Sequence, residues 1–481
     1  MRRTILASAA VAALLLAACS STEQDEETVA TSATAAATSD APDADPSGTS
    51  DAPTGTPDTT DPGEPAPTTE PATTIAAEPP RGVDGDVVRV GFVVIVNQQA
   101  ATEQAGGSGV TTIEQEVAVQ LLVDDLNARG GLGGLTVEPV LFEIDATAST
   151  DPQEIARAYC ATFTQDNEVY AVLGAGEPGP EQRACLDEAA VPAFVAGGTI
   201  AFLDDEDYDA LPYLVNVNGI SLDAAAQSMV AGLDAAGFFA DDSTVGILRL
   251  QSPAFDRATE TSLLPALAEL GVEPAAEVAI AAIESQDDIG RVSTEAQAAV
   301  LRMKDAGVDR LIVFESGGAL PFFFQSAAGS QSYAPQLAFG STSGGQTLVQ
   351  NLGTGGTLVG WSPIDDVPVD AAPAQPPRAQ ECLDLLDPTG AAFTSAVATG
   401  QALAFCDTLW LLDAAVGGEL GDADTLMAAV AGLGDGYASA TLEQVTFGDD
   451  KRWGTAQYRI ADYDPSCACN VYRADSPTPL G

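Results

Sequence analysis

Val87-Val88-Arg89-Val90-Gly91-Phe92-Val93-Val94 is an apolar run of strand length broken by a single charge, Arg89. A run of this kind suits a parallel strand buried on both faces. Downstream, Ile113, Val117 and Leu121 recur at four-residue spacing, and Asn127-Ala128-Arg129-Gly130-Gly131 ends that helical stretch with glycines. A strand at Leu135–Ile144 follows, then a helix opened by Asp151-Pro152, a good cap with proline at the first helical position. Val169–Leu173 reads as strand, Glu181–Ala190 as helix and Pro192–Ala196 as strand. Strand and helix alternating in this way predict a doubly wound α/β domain.

Near Tyr213–Asn218 the pattern restarts. Thr244–Leu250 is strand, Ala254–Leu270 helix, Ala276–Ile283 strand, Thr294–Ala306 helix and Val308–Phe314 strand, which makes a second α/β unit of the same kind. After Phe339-Gly340 the regularity loosens to a strand at Leu358–Trp361 and a proline-rich loop at Pro363–Pro377. Helices through Ala402–Ala415 and Thr425–Leu433 then lead to strands around Val445–Phe447 and Thr455–Ile460.

The N-terminal residues have a different character. Arg2 and Arg3 precede an apolar run from Ile5 to Ala18 that ends Leu16-Ala17-Ala18-Cys19. This has the form of a secretory signal, too short for a stable membrane span. Its last four residues resemble the lipobox of bacterial lipoproteins, which implies that Cys19 is lipidated and that residues 1–19 are the signal peptide. Residues 20–85 are Thr, Ala, Pro, Ser, Asp and Glu with almost no large apolar side chains. Such a segment cannot bury enough surface to offset its ordering entropy, so a disordered, extended tether is expected. The expected location is therefore the extracytoplasmic face of a cell membrane, held there by lipid.

Composition excludes more than it names. The formal net charge is −52, which disfavours nucleic acid and anionic membrane surfaces as partners. The chain contains no histidine, and this removes Ser-His-Asp and Cys-His nucleophile systems and His-ligated zinc. No Walker-type loop or Gly-x-Ser-x-Gly elbow occurs, so catalysis is unsupported and no cofactor is expected. Beside Cys19 stand Cys160, Cys185, Cys382, Cys406, Cys467 and Cys469, an even number that suggests disulfides in an exported chain. Fifteen pairings are open. The sequence-local set is Cys160–Cys185, Cys382–Cys406 and Cys467–Cys469, the last closing a very small ring. A metal site is disfavoured, because no Cys-x-x-Cys accompanies the missing histidine.

From Val87 onward the order of motifs resembles the type I solute-binding proteins of ABC importers, the branch that includes the branched-chain amino-acid receptors. The markers are Val88-Arg89-Val90-Gly91-Phe92, Leu126-Asn127-Ala128-Arg129-Gly130-Gly131, Asp151-Pro152, Val191-Pro192 with Gly198-Thr199, and Val308-Asp309-Arg310-Leu311-Ile312-Val313-Phe314. The resemblance implies two doubly wound lobes joined by three crossovers, closing over a small solute that is passed to ABC permease subunits. It places residues 86–217 with 345–440 in one lobe and 218–344 with 441–481 in the other. The crossovers fall near Asn216–Gly219, Gly340–Gly344 and Thr441–Val445, and a monomer is expected.

Ligands of open α/β sheets sit beyond the carboxyl ends of the strands, near helix N-termini whose free N–H groups suit anionic oxygens. Four loops meet that description. They contribute Gly176 and Glu177; Gly198 and Thr199; Ser252 and Phe255; and Glu315. Phe255 sits where the resembled family often has an aromatic that covers the ligand. Thr342 joins them from the crossover loop Ser341-Thr342-Ser343. Two departures bear on the solute. The first loop is Gly176-Glu177-Pro178 where the amino-acid binders are hydroxyl-rich, and the crossover loop lacks their acidic residue. Glu315 or Glu177 would have to pair with an ammonium group, and an amino acid, an amide or a small carboxylate all stay open. The alternative is a ligand-sensing or cell-envelope interaction lipoprotein on the same fold without transport, and a carboxylate hydrolase stands behind that.

Overall fold

The computed structural model describes residues 79–104, 111–148, 150–174, 179–196, 203–240, 242–283, 288–343, 345–346, 349, 355–368, 376–389, 393, 395–475 and 477–480. Residues 1–78, where a signal peptide ending at Cys19 and a tether are expected, and Gly176, Glu177, Gly198 and Thr199 lie outside the described residues. Among the described residues no helix is long and apolar enough to cross a membrane.

The opening apolar run becomes β2 (Val87–Val96), after a short β1 (Val83–Asp84) that pairs antiparallel with its start. β3 (Thr136–Asp145) lies parallel along one side of β2, and β4 (Val172–Gly174), β5 (Ala193–Val195) and β6 (Leu214–Asn216) extend the sheet parallel on the other. Two-residue alternation sends successive side chains to opposite faces. One face carries Val172, Ala193, Val195 and Leu214 against Tyr159, Phe163 and Leu186, from the Pro152–Cys160 helix, its π-helical extension and the Pro180–Glu188 helix. The other carries Val88, Val90, Phe92, Val94, Leu173, Phe194 and Val215 against the helices Gln115–Ala128 and Ala396–Val416. Gly91 keeps β2 flat against the first face, where a Cβ would stand 2.7 Å from the Phe163 ring.

The second sheet continues with β7 (Val245–Gln251), β8 (Ala276–Ala281), β9 (Arg310–Phe314), β10 (Gln336–Gly340), β11 (Thr357–Gly360), β12 (Gln457–Asp464), β13 (Cys469–Tyr472) and β14 (Thr478–Pro479). Its order is β13-β12-β11-β10-β9-β7-β8, with β14 on β12. The five strands from β8 to β11 are parallel, and β12, β13 and β14 add antiparallel pairings. The two sheets with their helices are two doubly wound α/β lobes.

Several expected elements shift. The first helix buries Ala118, Val119, Leu122, Val123 and Leu126, whereas Val117 is 42% exposed and Ile113 precedes the helix. The four-residue stripe therefore named the neighbouring face. Asp151 caps its helix as expected, accepting from Gln153 N at 2.8 Å. The long helix begins at Ala396, one turn and a half before the expected start, and is apolar nearly all round because it is buried on all sides. Helices Leu222–Ala235, Ala319–Ser330 and Ala379–Leu386 gave no clear sequence signal. The strand expected at Val445–Phe447 is reduced to an isolated bridge between Val445 and Thr455, while the one expected at Thr455–Ile460 appears as β12, starting at Gln457.

Two crossover positions are corrected. β11 pairs with β10 and β12, so the chain stays with the second sheet through Gly360 and leaves it after Trp361, not at Gly340–Gly344. β11 (Thr357–Gly360) thus belongs to the second lobe, since a strand this short announces no partner of its own. Likewise Leu442, Val445 and Phe447 are buried in the first-lobe core, and the third crossover falls between them and β12. The first sheet ends with β6 at Asn216, and the next helix, Leu222–Ala235, follows. The first crossover runs beside the third: Asn216 N donates to Arg452 O at 2.8 Å, Gly454 N to Asn216 O at 3.0 Å and Thr455 N to Gly219 O at 3.1 Å. A Cβ on Gly454 would stand 1.9 Å from Val217 O, so only glycine permits this approach.

The first-lobe segment that leads into the third crossover is held by one carboxyl group. Asp407 is fully buried on the Ala396–Val416 helix. It accepts from Tyr437 Oη at 2.9 Å, Ser439 Oγ at 2.6 Å, Ala440 N at 2.7 Å and Thr441 N at 2.9 Å, and from the Thr441 hydroxyl. Asp407→Asn turns an acceptor into a donor facing this ring of donors. We expect it to cost about 2–4 kcal/mol, read as a lower urea midpoint with an unchanged m-value.

Candidate functional site

Among the described residues, the best-formed polar cluster lies at the carboxyl ends of β9 and β10. Glu315 follows β9 directly and is 1% exposed. Its two oxygens accept from Gly318 N at 3.0 and 3.1 Å, which turns the carboxyl back over its own loop. Gly317 and Gly318 take φ values of +95° and +78°, the left-handed region that lets the loop fold this tightly. Gly317 N donates to Thr342 O at 2.8 Å, so the Glu315 loop and the Ser341–Ser343 turn form one unit. Thr342 is buried in that turn. Beside it, Ser341 Oγ accepts from Trp361 N at 2.7 Å and draws in the end of β11.

Burial pushes Glu315 up to about 7, and hydrogen bonds involving Ser343 and the Gly318 and Leu320 N–H groups offset this only in part. No cation pairs with it among the described residues. The hydroxyl of Ser316, next in sequence, is buried with no hydrogen-bond partner. Ser316 was not singled out from the sequence, and its only signal there was a polar residue in a strand-to-helix loop.

The β7 loop behaves differently from expectation. Ser252 caps the Pro253–Ala258 helix, accepting from Phe255 N at 3.3 Å. Phe255 is fully buried, with its ring edge-on to Phe314 at 5.1 Å in the second-lobe core. This corrects its expected role as a cover over the ligand: its place on the inward side of the first helical turn makes it a packing residue.

The same short helix carries Arg257, which spans the lobes. It binds Asp204 in two-pronged fashion at 2.5 and 2.8 Å, and Asp207 at 2.8 Å. Asp204 is fully buried, lies between β5 and β6 of the first sheet, and caps the Asp205–Ala210 helix. Asp223 adds to the contact, accepting from Asp205 N at 3.0 Å and Thr261 Oγ1 at 2.9 Å. Two-pronged Arg–carboxylate pairs are directional as well as strong. The pair joins the loop segment that follows Gly198 and Thr199 to the helix that follows Ser252. Sequence reasoning missed it because the partners are 53 residues apart in a chain crowded with acids.

The structure thus brings Glu315 and Thr342 together and sets Ser252 on the same sheet edge, since β7, β9 and β10 are neighbours. The six cysteines stand in the sequence-local pairs, with Cα–Cα distances of 6.1, 6.0 and 5.2 Å for Cys160–Cys185, Cys382–Cys406 and Cys467–Cys469.

Two doubly wound lobes, three crossovers and a polar edge at the carboxyl ends of the strands define the type I periplasmic-binding-protein fold. Solved structures of that fold are similar along most of the chain. A possible leucine/isoleucine/valine-binding protein of Rhodopirellula baltica SH 1 is 16% identical over 84% of this chain and 98% of its own, with a TM-score of 0.54. A solute-binding protein of an ABC transporter from Rhodopseudomonas palustris HaA2, in complex with p-hydroxybenzoic acid, is 15% identical over 82% of this chain and 98% of its own, with a TM-score of 0.57. An ABC transporter substrate-binding protein of Desulfitobacterium hafniense, in complex with Leu, is 13% identical over 80% of this chain and all of its own, with a TM-score of 0.55. No protein-family profile matches the sequence, and no curated protein matches it.

Two measurements check these placements. Glu315 binds its proton more tightly when folded than at the ordinary 4.5, so its stabilising contribution is complete below that pH and is lost as pH rises through about 7. A native value near 7 corresponds to about 3 kcal/mol. Between pH 5 and pH 8 the wild type should therefore lose that much more unfolding free energy than Glu315→Gln, measured by urea titration. Phe255→Ala should cost about 3–5 kcal/mol in the same assay without any ligand present, as a core truncation does.

Proposed function

We propose that the chain is a lipid-anchored, extracytoplasmic solute-binding protein that captures a small polar molecule between its lobes for an ABC importer, without chemical turnover. The observation that carries this reading is the buried cluster of Glu315, Ser316 and Thr342 at the carboxyl ends of adjacent strands, in a fold whose two lobes are joined by crossovers. The Ser316 hydroxyl is buried and unpaired there, and buried polar groups without a partner are costly. A ligand that supplies the missing hydrogen bond binds more strongly for it.

The solute class we favour is a small carboxylate, amino acids included. Leu and p-hydroxybenzoic acid, named with two of the similar structures, both carry a carboxylate. Burial of Glu315 favours its uncharged form, which neither repels such a group nor demands a cation. Gly176, Glu177, Gly198 and Thr199 are proposed to face the same solute from the first lobe, with Ser252 completing the second-lobe side. Hinged closure then follows from differential contacts, because binding favours whichever arrangement engages both lobes. Lipidation at Cys19 and the tether hold the folded part at the membrane, within reach of permease subunits, and the folded part acts as a monomer.

A thermal-shift screen of the exported protein against amino acids, amides, sugars and small carboxylates tests this. A solute at about 100 times its Kd should add about 2.7 kcal/mol of stability, seen as a raised Tm. Calorimetry on the responding solute should show weaker binding for Ser316→Ala and Thr199→Ala, with the unliganded Tm little changed. A screen in which no small molecule moves the Tm overturns the receptor reading.

A further inference from the structure

One cysteine pair lies away from the proposed solute site and has no part in it. Cys467 and Cys469 face each other across a single residue, Ala468, in the turn between β12 and β13. The other two pairs span 25 and 24 residues, and Cys382 and Cys406 are fully buried. Three features separate the small pair from them. Cys467 is exposed, so a thiolate can reach its sulfur. The ring gains little from loop closure, since that contribution grows with the length of chain enclosed. Ala468, the one residue between them, is held at φ +52°, a left-handed conformation that costs a non-glycine residue.

β13 begins at this pair and grips the second crossover. Asn470 N donates to Gln346 Oε1 at 3.0 Å ahead of that crossover, and its side chain reaches the crossover itself, donating to Asp366 O at 3.0 Å. Two residues on, Tyr472 Oη donates to Asp366 Oδ2 at 2.7 Å. Asp366 closes the short Pro363–Asp366 helix through which the chain leaves the second sheet. The disulfide thus fixes the start of the strand that holds this crossover in place.

We propose that Cys467–Cys469 is a thiol-exchange site, opened by dithiols while the other two disulfides stay closed, and that opening it loosens the second crossover. A thiolate of the dithiol attacks Sγ of Cys467, forming a mixed disulfide and releasing Cys469 as a thiolate that takes up a proton. The second thiol of the reagent then displaces Cys467. The reagent leaves as its own disulfide, and both cysteines are left as thiols. Two electrons and two protons pass from the dithiol to the protein. Exposed, poorly stabilised disulfides are the labile ones in such exchange.

The test uses the whole protein, incubated with graded dithiothreitol, trapped by alkylation and read by peptide mass spectrometry. Cys467 and Cys469 should be alkylated at a dithiothreitol concentration at least tenfold below that needed for the other four cysteines. Opening of all three pairs together, or of Cys160–Cys185 first, overturns the assignment. In selectively reduced protein, hydrogen exchange across residues 361–368 should rise, and Cys467→Ser/Cys469→Ser should show the same rise without reductant. Unchanged protection there in both samples overturns the coupling to the crossover.

Discussion

A parallel sheet has to be covered on both faces, and that requirement organises the whole chain. β2 alone sends Val88, Val90, Phe92 and Val94 to one side of the first sheet. The helices that lie between β2 and β6 in sequence cover the opposite face and only part of this one. The rest is covered from far down the chain by the Ala396–Val416 helix, which is buried almost throughout because it packs on β4 and β5 and also against the helices Gln115–Ala128, Ala379–Leu386 and Ala423–Gly432. For that helix to reach the first lobe the chain must return to it, and for the second sheet to gain β12 and β13 it must leave again. Three crossovers are the topological consequence of one uncovered apolar face.

Each crossover carries its own restraint. The first and third run side by side, with Asn216 bonded to Arg452 and Gly454. The segment that leads into the third is held within the first lobe by the donors that converge on Asp407. The second is gripped by β13 through Asp366 and stacked near the first lobe by Arg378, whose guanidinium lies 3.6 Å from the centre of the Trp410 ring. Arg378 N also donates to Ser439 O at 3.1 Å, tying the chain beyond the second crossover to the segment that leads into the third. Arg257 and Asp204 add a lobe-to-lobe ion pair close to the strand ends. Relative motion of the lobes must therefore work against these directed contacts as well as against apolar packing, since one core cluster holds residues of both lobes.

The buried acids divide by what surrounds them. Asp407 meets a full set of donors and is a structural tie. Asp204 meets an arginine and is an ionic one. Glu315 and Asp366 meet only neutral donors, and burial pushes both up to about 7. Among the described residues Asp223 is a further buried acid, bonded to Asp205 N, Thr261 and Ser262, and burial raises Asp365 beside Asp366.

What was legible from residues alone were the features written in local order. The β2 run, the Asp151-Pro152 cap, the glycines after Asn127 and the alternation through Phe314 specify two α/β units, because strand burial, capping and helix termination are short-range effects. The cysteine pairs were also local, and so were the positions of Glu315 and Thr342 just beyond strand ends. Beyond that reach lay the helix face at Val117, the affiliation of β11, the core position of Phe255, and the meeting of Arg257 with Asp204. Each depends on which surface a residue finally packs against. In a half-buried helix, a four-residue strand or a chain full of carboxylates, several surfaces satisfy the local pattern equally well. Only the assembled lobes choose among them, since the choice is made by burial of area contributed from distant parts of the chain.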